Sequence, residues 1–435
     1  IIQVHCRKSD AGHAGAMGPR FGLDPQARLD YGYNAVAQLT PMAKALIRSY
    51  YAKRPDASYL VGSSNGGRHG FVTASRLPNE YDGILVSTPG YRLPRAAIAQ
   101  VWDAQQFAKI ASTNPATGRP DLRSALSTAD MALLARSILA RCDALDGLAD
   151  GIVADLHACQ AAFDIQRDVP ACPPGAAANG QCLTSAQKTA MASVVAGPKD
   201  KTGAAVYAGL AWDPGLAGRD WGEWKFVNSV GPRDAIALGF VFTTPPSTPA
   251  ALNGQGNSLI DYALGFNLDS DLSKITATGG PYTESAWSFM TPPDPTMRQY
   301  VAHGGKLIVF HGSADPVFSV LDTIAWHDAF RQAHGAAADN HARLYLVPGM
   351  NHSRGGPATD QVDMVDALVN WVERGEAPEA MVAHARGPGS AVPNPEVPAE
   401  WGQDRTRLLC PYPQVPRYKG TGDINSAASF GCTLR

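Results

Sequence analysis

Two kinds of hydrophobic spacing alternate at the start of this 435-residue chain. Short unbroken apolar runs predict buried strands at residues 1–6, 59–61 and 84–87. Between them, residues 35–51 and the stretch from 65 toward Leu77 carry apolar side chains at helical spacing. Strands alternating with helices predict a parallel α/β layer. The pattern stops near Pro89-Gly90. Residues 96–294 read as irregular, rich in turn residues and holding five of the eight tryptophans. It resumes with strands at 306–310 and 343–347 and helices at 323–334 and 363–374. One α/β domain, 1–95 plus 295–435, is thus expected to be split by an insertion over 96–294. A Pro-rich tail follows Glu376, and neither an internal repeat nor a low-complexity segment is evident.

Composition narrows the class. Hydrophobic residues make up 45% with no apolar run of membrane-spanning length, which predicts a soluble globular protein without a membrane partner. Lys plus Arg number 37 against 39 Asp plus Glu, a balance that argues against nucleic acid as partner. Six of the seven cysteines fall into close pairs, Cys142 with Cys159, Cys172 with Cys182 and Cys410 with Cys432, leaving Cys6 over. Without CxxC zinc spacing, disulfides in an oxidising compartment are expected, so a secreted or periplasmic protein. No signal peptide precedes the first apolar run, and an N-terminal portion is expected to lie outside this sequence.

The chemistry centres on Gly62-Ser63-Ser64-Asn65-Gly66, which fits G-x-S-x-G between a predicted strand and a predicted helix. That is the layout of a nucleophile elbow, with glycines where a sharp turn leaves no room for Cβ atoms. On its own the motif is an ordinary Gly/Ser loop; the strand and helix around it favour Ser64 as nucleophile. An acid and a base should follow in chain order, each after a strand. Asp315 follows the 306–310 strand and His352 the 343–347 strand. Singly they read as a turn residue and a loop histidine. Together they predict a triad in which His352 takes the Ser64 proton and Asp315 orients the imidazole. Asp322 is the reserve acid and His384 the reserve base. The Asn65 N–H is one expected oxyanion donor; the glycine-rich loop that would bring the second is not found.

A second cluster is Asp143-Ala144-Leu145-Asp146-Gly147-Leu148-Ala149-Asp150-Gly151-Ile152. Three carboxylates in eight residues make either a solvated acidic turn or a loop around a hard cation. The spacing is not that of an EF-hand. The bracketing Cys142 and Cys159 favour the ion, and mixed carboxylate and carbonyl donors suit Ca2+ better than magnesium.

These motifs together resemble the tannase and feruloyl esterase family. The resemblance is carried by Gly62-x-Ser64-x-Gly66-Gly67-Arg68, Asp143-x-x-Asp146-Gly147-x-x-Asp150-Gly151, Gly312-x-x-Asp315-Pro316 and Asn351-His352. Ser9-Asp10-Ala11-Gly12-His13, Asp30-Tyr31-Gly32-Tyr33 and Cys410-Pro411-Tyr412-Pro413 agree with it. It implies an α/β-hydrolase core with a large inserted lid, and a structural calcium in that lid. The implied ligands are the side chains of Asp143, Asp146 and Asp150 and the carbonyls of Leu148 and Ile152. The implied activity is hydrolysis of esters of aromatic acids, feruloyl-, galloyl- or terephthaloyl-like, by a serine carboxylic ester hydrolase. Aliphatic or hydroxyalkanoate oligomer esters, or a catalytically silent binding protein of the same fold, are the alternatives. One departure stands out. The family's paired cysteines beside nucleophile and histidine are here Ser63 and Ser353. Trp212, Trp221, Trp224, Phe226, Trp287 and Phe289 are expected to be lid core, with one or two touching substrate. Arg219 and Arg233 are candidates for a carboxylate partner, with surface salt bridges as the default.

Overall fold

The computed structural model describes residues 15–253 and 258–434. The expected first strand, Cys6 and the Ser9 to His13 motif lie outside the described residues. Four parallel strands stand side by side in chain order: β1 Tyr59–Ser63, β2 Gly83–Ser87, β3 Lys306–Gly312 and β4 Ala342–Val347. Ser63 pairs with Ser87, Ser87 with Phe310, and Gly312 with Val347, so the carboxyl ends of the strands finish along one edge. Side chains alternate between two cores. Ile84, Val86, Leu307 and Val309 face one, Leu85 and Ile308 the other. Burial on both faces is why β2 and β3 read as continuous apolar runs, whereas β1, expected to be buried, is half-buried and leaves Val61 59% exposed among the described residues.

The helices that position the site are, in order, α1 Ala35–Tyr51, α2 Asn65–Arg76, α3 Leu93–Ala108, α4 Thr128–Cys142, α5 Ser185–Ala196, α6 Val320–His334 and α7 Met364–Arg374. Helix α2 lies so close to the sheet that glycine is required twice. A Cβ on Gly62 would sit 2.2 Å from the Gly66 carbonyl oxygen, and one on Gly70 2.7 Å from Val86. Helix α7 follows from its sequence. The Asp363 carboxylate caps its amino end, Met364, Leu368 and Trp371 form the buried stripe, and Gly375 ends it at φ +74°.

The chain leaves the sheet after Ser87 and returns at Lys306. The insertion is not irregular, as its sequence suggested, but built on helices. Twelve of the sixteen residues of α3 are buried, so it has no polar face to mark a helical period. Helices α4 and α5 open on capping boxes, Ser127 with Asp130 and Thr184 with Gln187, a local signal the apolar pattern does not carry. The tail also holds more structure than predicted. β5 Met381–His384 pairs with β6 Thr406–Leu409, and β7 Gln414–Tyr418 with β8 Phe430–Leu434, strands too short for alternation to show. All three expected disulfides form.

Inside the insertion core, Lys225 Nζ lies 2.6 Å from Asp103, both fully buried, and Gln100 Oε1 accepts a second Lys225 bond at 3.1 Å. Burial raises the Asp103 pKa to about 6 against the opposing charge of Lys225. Removing one partner leaves the other charge stranded. Lys225→Ala should therefore cost about 3–5 kcal/mol, whereas Lys225→Met with Asp103→Leu should cost much less. Denaturant unfolding of both variants checks this; equal losses would count against a buried-charge penalty.

Candidate active site

Ser64 occupies the tip of the turn between β1 and α2 with φ +60° and ψ −121°, a conformation a non-glycine residue adopts only under constraint. Its N–H donates to the Ser87 carbonyl at 2.9 Å, and its own carbonyl accepts from Arg68 N–H at 3.0 Å. His352, on the loop after β4, places Nε2 2.8 Å from Ser64 Oγ. Its Nδ1 lies 2.9 and 3.1 Å from the two oxygens of Asp315, just beyond β3. Asp315 is buried and also accepts from the N–H groups of Val317 at 2.8 Å and Phe318 at 3.1 Å. Burial alone would raise its pKa. The charge of His352 and hydrogen bonds from His311 and His352 overcome that and hold it well below the carboxylate range. Burial likewise opposes the His352 cation, yet Asp315, then Asp220 and Asp234, raise its pKa above 6.5. A hydroxyl so placed can attack an acyl carbon while passing its proton to the imidazole.

Several neighbours were not anticipated. Buried His311, at the end of β3, puts Nε2 3.1 Å from Asp315 and 3.0 Å from the Phe318 carbonyl. Two acceptors on one nitrogen require it to carry the hydrogen. Nδ1 then meets the Thr323 hydroxyl at 2.8 Å. The His352 backbone N–H donates to Asp220 at 3.3 Å. The rings of Trp224 and Phe318 each lie 5.4 Å from the imidazole, edge-on. The signal for His311 was its place on the strand edge; nothing local marked Asp220 or Phe318.

Asn65 begins α2, so its N–H is among the amino-terminal donors that lack an intrahelical acceptor. Its side chain accepts from Arg68 Nε at 2.7 Å, and buried Arg68 reaches the carbonyls of Gly32 at 2.8 Å and Tyr31 at 2.9 Å. The reserve residues lie elsewhere. Asp322 is ion-paired with Arg92, and His384 sits on β5, bridged through its backbone to Gln361. Of the six insertion aromatics, Trp224 alone forms a ring contact with His352, while Trp221 and Phe226 pack on Phe107 and Trp212 on Phe163. Among the described residues Arg219 and Arg233 form no salt bridge, against the default expectation. The Arg233 guanidinium lies 5.9 Å from the Trp224 ring.

The sequence model described as tannase and feruloyl esterase matches residues 5–433. The chain belongs to the tannase and feruloyl esterase family. It is 40% identical to a mono(2-hydroxyethyl) terephthalate hydrolase of Piscinibacter sakaiensis, over 98% of this chain and 73% of that protein. It is 30% identical to a probable feruloyl esterase of Arthroderma benhamiae, over 93% and 68%. Among solved structures, feruloyl esterase B from Aspergillus oryzae superposes with a TM-score of 0.71 at 20% identity, covering 98% of this chain and 78% of that one. Tannin acyl hydrolase from Aspergillus niger gives 0.64 at 19%, covering 95% and 71%. These structural likenesses establish the α/β-hydrolase fold, and membership of the family makes the chain a carboxylic ester hydrolase.

Beside the nucleophile and the histidine, Ser63 Oγ and Ser353 Oγ lie 2.8 Å apart, and Thr88 Oγ1 lies 3.1 Å from the latter. A hydroxyl pair thus stands at the two positions where the resemblance implies paired cysteines. In the acidic loop, Asp143 accepts the N–H groups of Asp150 at 3.0 Å and Gly151 at 2.9 Å; Asp146 accepts those of Leu148 at 3.2 Å and Ala154 at 2.9 Å. Asp150 is paired with Arg405 and Arg407. No three metal-binding side chains converge as a preformed cluster among the described residues. Yet Asp143 and Asp146 have no salt bridge among the described residues, and burial pushes Asp146 up to about 7, with Asp150 and Asp143 adding to it. The carboxylates of Asp143 and Asp146, with backbone carbonyls beside them, are oxygen donors of the kind a hard cation takes, while Asp150 is already neutralised by two arginines.

The raised His352 pKa fixes the acid limb of the rate profile. Since neutral imidazole is the base, kcat/KM should fall on acidification with an apparent pKa above 6.5. The stabilisation from a raised histidine is full at low pH and lost as pH climbs through its folded pKa; that from depressed Asp315 is lost only as pH falls through its own. Asp220→Asn should move the limb to lower pH, and an unmoved limb would mean Asp220 does not act on the imidazole. A second expectation concerns Ser63→Cys with Ser353→Cys. The pair should oxidise spontaneously across a separation of 290 residues and add on the order of 5 kcal/mol, less strain. Thiol titration of the denatured, oxidised variant checks it, and two extra free thiols would contradict it.

Proposed function

We propose that this enzyme cleaves esters of aromatic carboxylic acids through an acyl-enzyme on Ser64. The observation that carries it is the unbroken hydrogen-bond line from Ser64 Oγ through His352 to buried Asp315, flanked by the Trp224 and Phe318 rings. His352 would take the serine proton, then return it to the departing alcohol; water would release the acid by the reverse path. Asn65 N–H, at the amino end of α2, would donate to the tetrahedral oxyanion. The aromatic acyl group is supported by the flanking rings and by the names of the relatives above. Ser64→Ala and His352→Ala should each lower kcat by about three or more orders of magnitude without unfolding the protein. Asp315→Asn should also be severely impaired. Feruloyl, galloyl, terephthaloyl and short aliphatic esters, compared by kcat/KM, test the substrate class. Preference for the aliphatic esters would overturn it, and a panel without turnover would favour the silent binder.

The acidic loop would hold a structural Ca2+ through the carboxylates of Asp143 and Asp146 and the carbonyls of Leu148 and Ile152, and through Asp150 where the ion displaces its arginine partners Arg405 and Arg407. The ion would tie the insertion to itself and take no part in bond breaking. Millimolar calcium should raise Tm by linkage and chelation should lower it. Elemental analysis without metal, and a Tm indifferent to both treatments, would leave an acidic turn closed by arginines. The three disulfides support an extracellular or periplasmic setting.

A further inference from the structure

One carboxylate of the insertion lies against the catalytic loops without touching the triad. Asp213 is fully buried and has no salt bridge among the described residues. Its Oδ1 accepts the Gly215 N–H at 2.7 Å, closing its own turn. Its Oδ2 accepts the Ser313 hydroxyl at 2.6 Å and the Gly349 N–H at 3.1 Å. The Gly349 N–H also lies 3.1 Å from Ser313 Oγ, which completes a closed triangle. Ser313 is two residues before Asp315, and Gly349 three before His352. A single oxygen therefore joins the loop that carries the acid to the loop that carries the base.

The turn around Asp213 is fitted to the same two loops. A Cβ on Gly215 would meet the Gly349 carbonyl oxygen at 2.4 Å and Ala314 Cβ at 2.6 Å, and one on Gly218 would meet Asn351 Oδ1 at 2.3 Å. Buried Asn351, next to His352, donates from its amide to the Gly215 carbonyl at 2.9 Å and the Ala314 carbonyl at 3.3 Å. Burial raises the Asp213 pKa, opposed by bonds from Ser313, Gly215 and Gly349, so the charge is stabilised only by neutral donors. A buried charge costs stability unless its hydrogen bonds offset the loss of water. A neutral side chain would serve if filling space were all the position required.

The geometry points to Asp213 as a positioning residue of the esterase, a brace from the insertion that holds the Asp315 and His352 loops in catalytic register. This rests on the triad proposed above. Because the brace acts on loop spacing and not on substrate, its loss should appear in kcat and not in KM. Displacements of an ångström at reacting groups cost about a hundredfold in rate.

The test compares the full chain with Asp213→Asn and Ser313→Ala, using hydrolysis of an aromatic ester and the rate of phosphonylation of Ser64 by an organophosphonate. Asp213→Asn keeps the shape but turns an N–H2 group or a weaker acceptor toward two donors. It should lower kcat and the phosphonylation rate together, by about ten- to a hundredfold, with KM within about threefold of the parent. Ser313→Ala, which retains Asp213 and its Gly349 bond, should give a smaller loss of the same kind; should Asp213→Asn fail to fold, it decides the matter. In the double variant the losses should fall short of additive, since both remove one brace. A lowered Tm with parental kcat and parental phosphonylation rate in either folded variant would make Asp213 structural only and overturn the brace while leaving the triad intact. A parent that the phosphonate does not label at Ser64 would remove both.

Discussion

A carboxylate taken wholly out of water must be given donors, and Asp315 shows how far the surrounding chain is arranged to supply them. Its partners are the two histidines His352 and His311 and the N–H groups of Val317 and Phe318, with neither lysine nor arginine among them. Two of these donors belong to its own turn, one to the end of β3 and one to the loop after β4. The ionised form is stable only where all four arrive together, so the position of Asp315 determines that of His352 and, through it, the Ser64 hydroxyl. The parallel register supplies the coarse placement. With β1, β3 and β4 ending along one edge, the three side chains need only short loops to meet.

The fine placement comes from outside the sheet. Trp224 against the imidazole, Asp220 on its backbone N–H and Asp213 between the two loops all belong to the insertion. Glu396 of the tail adds a tie, accepting the N–H groups of Arg219 at 2.6 Å and Gly356 at 3.1 Å. Beside the nucleophile, the Ser63 and Ser353 hydroxyls tie the His352 loop to the elbow by a hydrogen bond contributing about 1 kcal/mol. The His352 loop is therefore held by many weak contacts from three segments, and its geometry depends on the insertion being folded.

What the sequence disclosed, and what it hid, follow from the range of the interactions. The strands and helices of the sheet were legible because burial on both faces, or on one stripe, writes itself into local spacing, as in β2 and α7. The triad was legible because the elbow and the strand ends fix the order in which its members occur. Helix α3 was hidden because nearly all its sides are buried, and the tail ribbons because four or five residues are too few to show a period. Asp213 and Asp220 act across separations of 100 and 132 residues that no window spans, whereas His311 is only four residues from Asp315 and was marked by its place on the strand edge. Asp213 in particular looks like any turn aspartate before a proline until Ser313 and Gly349 are brought to it.

The central claim is that Ser64 forms a covalent bond to the acyl group during turnover. Acid quenching of the enzyme at saturating aromatic ester, followed by peptide mapping by mass spectrometry, tests it directly. The account predicts an added mass equal to that of the carboxylic acid less one water on the peptide carrying Ser64, with none on that peptide in Ser64→Ala. The acyl group found on any other residue, at a level matching turnover, would contradict it.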